Sequence, residues 1–459
     1  MNVSLQSAPP WIAGSVNRRI LHAASVVTAA TLLVKIAGLL KDVTVADLFG
    51  CSDAMDAYLA AALLPALLVN LIAESMNQAL VPTLIRVQEH EGHAAAQRLF
   101  SSSMLSVCML LTTVTAVLAL GARSILPLIA SRYSPGKLAL ALMIVYALLP
   151  SILITGIASN CTAVLNAFDR FAWPALAPAA ISLATITAAL CFGRVCGIWA
   201  IVIGNLTGAL IQAVAMAWMV HLRGYRFLLC WHGSSQASRE VASQYWPVFL
   251  SSIVASGGLL VDQSMAAMLP PGSVSMLAYA NRFVSVVLSL LAGAVSTAIV
   301  PHFSRLIAYR DWEGCREVLR TWLRVSAVVS IPIAAALIAG SHWLIRSTLQ
   351  HGAFQMEQTA AVTPVLGLCA IQIPFFVCSR VFYRFLVAMR RTDLVLICGV
   401  LNLVLDIFLN LVLMRWFGLA GIALATSLWT VSTFFFLWFW ARRLLPGGPN
   451  ESFPTKEAR

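Results

Sequence analysis

Runs of some twenty apolar residues recur twelve times in 459 residues, at approximately 23–47, 54–83, 98–121, 138–167, 172–193, 198–221, 245–267, 276–303, 324–349, 360–389, 394–414 and 418–441. Each run is long enough to cross the roughly 30 Å hydrocarbon layer of a bilayer as an α-helix. Inside that layer every backbone polar group must be satisfied within the chain, so helices are the natural form for spans of this length. The chain is 60% hydrophobic and only 10% charged. An ordinary soluble domain carries about 25% charged residues, so a soluble fold is excluded. The formal charge of +12 reads as cytoplasmic loop chemistry rather than nucleic-acid binding, because no soluble basic domain is present to hold a nucleic acid.

The basic residues alternate from loop to loop. Arg18, Arg19, Arg86, Arg170, Arg223, Arg226, Arg239, Arg305, Arg310, Arg316, Arg320, Arg390, Arg391, Arg442, Arg443, Lys456 and Arg459 fall on one side, and Arg123, Arg132, Lys137, Arg194 and Arg415 on the other. The positive-inside rule then places both termini in the cytoplasm of a bacterial-type inner membrane. Arg18 and Arg19 precede an apolar run, as in a signal sequence, but the run extends past Lys35 without a convincing cleavage site. It is read as a retained first helix. The ten cysteines are scattered, with no CxxC pair or Cys/His cluster, so neither a zinc site nor a disulfide framework is expected.

The chain also repeats itself at offsets of about 220 residues. Gln78-Ala-Leu-Val-Pro82 followed by Arg86 matches Thr297-Ala-Ile-Val-Pro301 followed by Arg305. Ala167 to Arg170 parallels Ala388 to Arg391, and Gly197-Ile198 parallels Gly418-Leu419. Six spans per repeat give both halves the same orientation, related by an axis along the membrane normal with a site between them. The expected fold is an all-α polytopic membrane protein of about twelve transmembrane helices in two six-helix lobes. Its segments are an N-terminal cytoplasmic stretch 1–22, a first lobe 23–221, a linker 222–244, a second lobe 245–441 and a cytoplasmic tail 442–459.

Charges inside such spans cost roughly 2.5–3.5 kcal/mol each on insertion scales and need a partner, a wet cavity or a job. The first two spans hold Lys35, Lys41, Asp42, Asp56 and Glu74, with Asn70 one turn before Glu74. Both signs together suggest a polar cavity between helices. A Lys–Asp pair that only fixes packing is the alternative. Asp56 opens the second span, either as a solvated end residue or as part of an outer gate; a helix N-terminus also stabilises an acid there. Asp262 and Asp406 are the buried acids of the second half, suited either to a coupling cation or proton or to a structural hydrogen bond. Arg282, near the outer part of the eighth span, is a candidate cavity residue. Arg380 and Arg384, spaced i, i+4 near an inner helix end, suit snorkelling to the interface. No GxSxG, HExxH or Walker loop appears, so a transporter without cofactors is expected rather than an enzyme.

The stretch from Lys35 to Pro82 carries a more specific pattern. Lys35, Gly38, Lys41-Asp42, Phe49-Gly50, Asp56-Ala57, Leu64-Pro65, Glu74 and Val81-Pro82 together resemble the opening of the MurJ/MviN lipid II flippases of the multidrug/oligosaccharidyl-lipid/polysaccharide exporter superfamily. Weaker similarity continues through Asn166–Pro178 and Tyr279–Pro301. The resemblance implies a flippase moving an undecaprenyl-pyrophosphate-linked glycan, driven by a membrane potential or ion gradient, with cell-envelope synthesis proteins as possible partners. It equates the family's cavity arginines with Lys35, Lys41 and Arg282. The family's second-helix arginine falls on Asn70, and its acidic residues of the eighth helix fall on Asn281 and Ser285. Fourteen helices are usual in the family, the last pair forming a lipid-tail groove; twelve are counted here. A cation-coupled small-molecule exporter and a non-transporting scaffold are the competing functions.

Overall fold

Twelve helical stretches account for nearly all of the regular structure in the computed structural model. The structure describes residues 10–445 apart from 169, 228, 229, 232, 234 and 310; side chains are further excluded for 10–25, 294, 296–298, 300–302, 304, 305 and 308. Of the positions used above, residues 1–9, Arg310, the tail beyond 445 with Lys456 and Arg459, and the side chains of Arg18, Arg19, Arg305 and Pro301 lie outside the described residues. The helices are α1 (Pro10–Phe49), α2 (Asp53–His90), α3 (His93–Ile129), α4 (Pro135–Ala167), α5 (Ala172–Cys196) and α6 (Trp199–His221). They continue as α7 (Gln236–Ala266), α8 (Ser273–Ala308), α9 (Trp312–Thr348), α10 (Met356–Ala388), α11 (Thr392–Phe417) and α12 (Leu419–Leu444). No strand occurs among the described residues. Among the described residues, eleven helices are long and apolar enough to cross a membrane. The twelfth expected span lies in α1, whose described side chains, 26–49, include Lys35, Lys41 and Asp42.

The segment joining α6 to α7 is shorter than the 222–244 expected from sequence, since helix begins at Gln236. The Ser235 hydroxyl accepts from the Ser238 backbone N–H at 3.1 Å and caps that start. The polar run Gln236–Gln244 therefore continues the transmembrane helix past its apolar part.

The positions equated by the internal repeat adopt matching local geometry. Gly197 ends α5 with φ 57° and ψ −139°, and Gly418 ends α11 with φ 56° and ψ −129°. A Cβ disfavours both conformations, which explains glycine at the two sites. Likewise the Arg170 N–H donates to Leu165 O and the Arg391 N–H to Leu386 O, each at 3.0 Å.

Two compact units divide the chain. One comprises Met1–Val45, Leu64–Gly121 and Val145–Phe249. Its core is built from Leu80, Leu84, Phe100, Val164, Met216 and Tyr225. The Tyr225 ring packs edge-on to His93, Phe100 and Phe168 with centroids at 4.6, 5.6 and 5.7 Å. Its hydroxyl donates to Gln88 Oε1 at 3.0 Å, so the residues after α6 are held against the start of α3. The other unit comprises Ala46–Leu63, Ala122–Ile144 and Leu250–Arg459. Fully buried Phe303, Val362, Leu366, Phe385 and Ile422 mark its core.

Candidate functional site

In the first unit the charged residues of α1 sit on regular helix, while Glu74 of α2 ends an irregular turn. Lys35, Lys41 and Asp42 are all half-buried. Lys41 Nζ lies 2.9 Å from Asp42 Oδ1, so Asp42 offsets the charge of its own neighbour. Lys35 sits six residues earlier, about 120° away around an ideal helix. On α2, Asn70–Glu74 form a π turn between two α-helical parts. Such turns are rare and often occur at functional sites. A π turn leaves a carbonyl without its regular partner, and the Ser159 hydroxyl of α4 reaches both Ala73 O, at 3.3 Å, and Glu74 Oε1, at 3.0 Å. Asn77 Nδ2 donates back to Ser159 O at 3.2 Å. Asn70 and Glu74 themselves are exposed.

The second unit holds Asp56, and its environment overturns the reading of a solvated helix end. Asp56 is 1% exposed. Its Oδ2 accepts from Lys137 Nζ at 2.9 Å and the Gly272 N–H at 2.7 Å. Its Oδ1 accepts from the Ser275 N–H at 2.9 Å and the Ser275 hydroxyl at 2.8 Å. The two backbone donors belong to the start of α8, where N–H groups lack helical partners and favour an anion. Lys137, counted from sequence among the outer-loop cations, is 8% exposed, lies in the first turn of α4 and also reaches Asp53 Oδ1 at 2.6 Å. Its ammonium stands 4.2 Å from the centre of the Tyr133 ring. Burial, and then the charges of Asp56 and Asp53, push the Tyr133 phenol well above its usual range. Gly272 has φ 88°, and a Cβ there would stand 2.8 Å from Cys51 O. Only glycine lets this turn approach so closely while giving its N–H to Asp56.

A second polar group in that unit joins α7, α11 and α12. Asp262 and Asp406 are both buried. The amide Nδ2 of Asn410 donates to Asp262 Oδ1 at 2.8 Å and to Asp406 Oδ1 at 2.9 Å. The Thr426 hydroxyl lies 3.2 Å from Asp262 Oδ2. Among the described residues, Asp406 Oδ2 and Asn410 Oδ1 have no hydrogen-bond partner. The backbone of Gly258 passes beside this carboxylate, where a Cβ would make ordinary van der Waals contact with Asp406 Oδ2 at 3.4 Å. Acceptors outnumber donors here, which is the arrangement a proton or a small cation completes.

The structure thus brings Asp262 together with Asp406, and Lys41 with Asp42, in each case within one unit. Sequence reasoning missed Lys137, Ser275, Asn410 and Thr426. Asp406 and Asn410 carried a usable signal, being i, i+4 polar residues in an otherwise apolar span. Lys137 and Ser275 carried none, because their link to Asp56 spans 81 and 219 residues. Arg282 is half-buried on α8. Arg380 and Arg384, read as snorkelling cations, pack against aromatic rings: Arg380 stands 4.4 Å from the Phe376 ring centre and Arg384 5.9 Å from that of Tyr383.

Comparison with known proteins gives this arrangement a family. The family model for lipid II flippase MurJ matches residues 45–457. A probable lipid II flippase MurJ of Synechocystis is 24% identical over 94% of this chain and 83% of its own length. The lipid II flippase MurJ of Burkholderia cenocepacia is 27% identical over 75% of this chain and 69% of its own. Among solved structures, lipid II flippase MurJ in an inward closed conformation superposes with a TM-score of 0.79 at 24% identity, covering 91% of this chain and 87% of that one. An inward-facing multidrug MATE transporter superposes with a TM-score of 0.78 at 12% identity, over 92% of this chain and 97% of that one. The match to the family model runs from the end of α1 through α12, and the chain belongs to the lipid II flippase MurJ family.

Proposed function

We propose that this multi-pass inner-membrane protein carries lipid II, an undecaprenyl-pyrophosphate-linked glycan, from the inner to the outer leaflet by alternating access. The observation that carries the reading is the pair of half-buried lysines on α1, Lys35 and Lys41, within a chain of MurJ sequence. Moving a pyrophosphate unpaired through hydrocarbon is prohibitive, and cationic side chains at membrane depth replace the water it gives up. Lysine supplies a point charge rather than a bidentate fork, so attraction here is less directional than with the arginines the family resemblance equates with these positions. Arg282 is the third proposed substrate contact and Asn70 a neutral one. Asp42 and Glu74 set the local charge, and Asp56 with Lys137 ties the start of α8 at the outer side. The polyprenyl tail stays in lipid while the glycan crosses. Both termini are cytoplasmic in this reading, and proteins of envelope synthesis are its natural partners.

The test is a flipping assay in proteoliposomes, with lipid II set against an undecaprenyl-pyrophosphate oligosaccharide lacking the peptide. Lys35→Ala is expected to lower lipid II movement at least about tenfold, the scale of one charge-assisted contact. Lys41→Ala is expected to lower it as well. Equal activity of Lys35→Ala and wild type would point to a scaffold role. Movement of the peptide-free lipid alone would shift the cargo to another envelope glycan.

The driving force in this reading is an ion gradient or membrane potential acting through Asp262 and Asp406. Asp406 Oδ2 and Asn410 Oδ1, which have no hydrogen-bond partner among the described residues, support it. Asp406→Asn is expected to abolish the dependence of flipping on an imposed sodium or proton gradient while leaving binding of lipid II intact. A variant that still responds to both gradients would remove the pair from the coupling step.

A further inference from the structure

A cavity of about 390 Å³ opens within the second unit, between the start of α9, the last third of α10 and the end of α12. Its walls are of two kinds. Leu319, Leu323, Phe382, Ala441 and Leu445 are apolar; Arg316, Arg320 and Arg442 are cationic. Arg316 and Arg320 are one turn apart on α9 and so share a face. Among the described residues none of the three arginines forms an ion pair with a carboxylate. The Arg442 guanidinium lies 4.6 Å from the centre of the Trp438 ring, which also lines the cavity. Both helix ends that build it are those the arginine distribution assigns to the cytoplasmic side.

Three guanidinium groups lining one cavity, none of them in an ion pair among the described residues, favour an anion that joins them. Their planar forks match phosphate oxygens two at a time. The flanking Leu, Phe and Trp surfaces suit the glycerol and upper acyl region of a lipid rather than a free ion. A tryptophan at this level is at home among headgroups. The inner leaflet is the anionic one, and basic pockets between helices on that side hold phosphate headgroups. A volume of 390 Å³ is at the small end of ligand pockets and fits one headgroup.

From this we infer that Arg316, Arg320 and Arg442, with Trp438, form a binding site for the phosphate of an anionic phospholipid of the cytoplasmic leaflet. The site is separate from Lys35, Lys41 and Arg282 and does not depend on the flippase reading. It would hold α9, α10 and α12 together through a lipid.

The experiment is native mass spectrometry of the purified full-length chain in neutral detergent, with phosphatidylglycerol or phosphatidylcholine added. Wild type is expected to retain one phosphatidylglycerol in preference to phosphatidylcholine by about tenfold, the scale of charge-assisted pairing. Arg316→Gln/Arg320→Gln is expected to lose that preference, Arg316→Lys/Arg320→Lys to keep part of it, and Arg123→Gln/Arg415→Gln, the same loss of two charges elsewhere, to keep all of it. Should the double variant fail to elute as a monodisperse protein, Arg442→Gln, at an exposed position, serves in its place. Undiminished preference in the glutamine variants overturns the site. Displacement of the lipid by millimolar inorganic phosphate assigns the pocket to a soluble anion and overturns the lipid source.

Discussion

Replacing Asp56 with alanine is expected to destabilise the protein by about 3–5 kcal/mol, the usual cost of removing one partner from a buried ion pair. The carboxylate takes four hydrogen bonds from three partners, Lys137, Gly272 and Ser275. Its loss strands an ammonium that is almost wholly buried, and two backbone N–H groups at the start of α8. Lys137 would keep Asp53, whose side chain is largely exposed and so screened by water. Lys137→Met is expected to cost less, since Asp56 then keeps its donors from Gly272 and Ser275. Thermal unfolding in detergent micelles, with the double variant completing the cycle, measures the coupling. A melting temperature for Asp56→Ala indistinguishable from wild type would show that these contacts do not hold the second unit together.

The second large effect is expected at Gly204 and Gly208 of α6. A Cβ on Gly204 would stand 2.6 Å from Thr185 Cα and 3.1 Å from Ala184 O; one on Gly208 would stand 2.5 Å from Ile181 Cα and 2.9 Å from Ala180 O. These are backbone atoms of α5 and cannot turn aside as a side-chain tip does. The spacing is the small-xxx-small pattern by which membrane helices approach, because lipid supplies no hydrophobic drive and packing must replace it. Gly204→Val/Gly208→Val is expected to separate α5 from α6, at about 1–3 kcal/mol of overpacking per site, and to abolish a monodisperse peak on size exclusion. Gly340→Val on α9 is the control, since a Cβ there meets nothing within 4 Å. Equal behaviour of the two variants would mean that α5 and α6 do not touch along this face.

The helices and their family were legible in the sequence because both are written in local pattern. Apolar runs set the spans, and the stretch from Lys35 to Pro82 set the resemblance. The partners of the polar residues were hidden for the opposite reason. Asp56 meets Lys137 and Ser275 only after distant segments pack, and nothing near Lys137 marks it as buried. The opening of α7 misled in another way: Gln236–Gln244 is polar enough to read as a loop, yet Ala237, Val241 and Tyr245, each one turn on, bury one face of it in the core of the first unit. The π turn at Asn70–Glu74 was equally silent, since Asn-Leu-Ile-Ala-Glu contains neither glycine nor proline to announce it.

That turn has a consequence for how α2 is counted. Residues in an α-helix advance by about 100° each, and a π turn absorbs one residue more than the rise requires. The two parts of α2 are therefore out of phase. Within the first unit, buried Leu64 and Leu67 before the turn and Leu80, Leu84 and Val87 after it do not fall in one stripe on a single helical wheel. A wheel drawn through all of Asp53–His90 would misplace one end or the other. The slipped residue lets each part of α2 keep its own neighbours without either setting the rotation of the other.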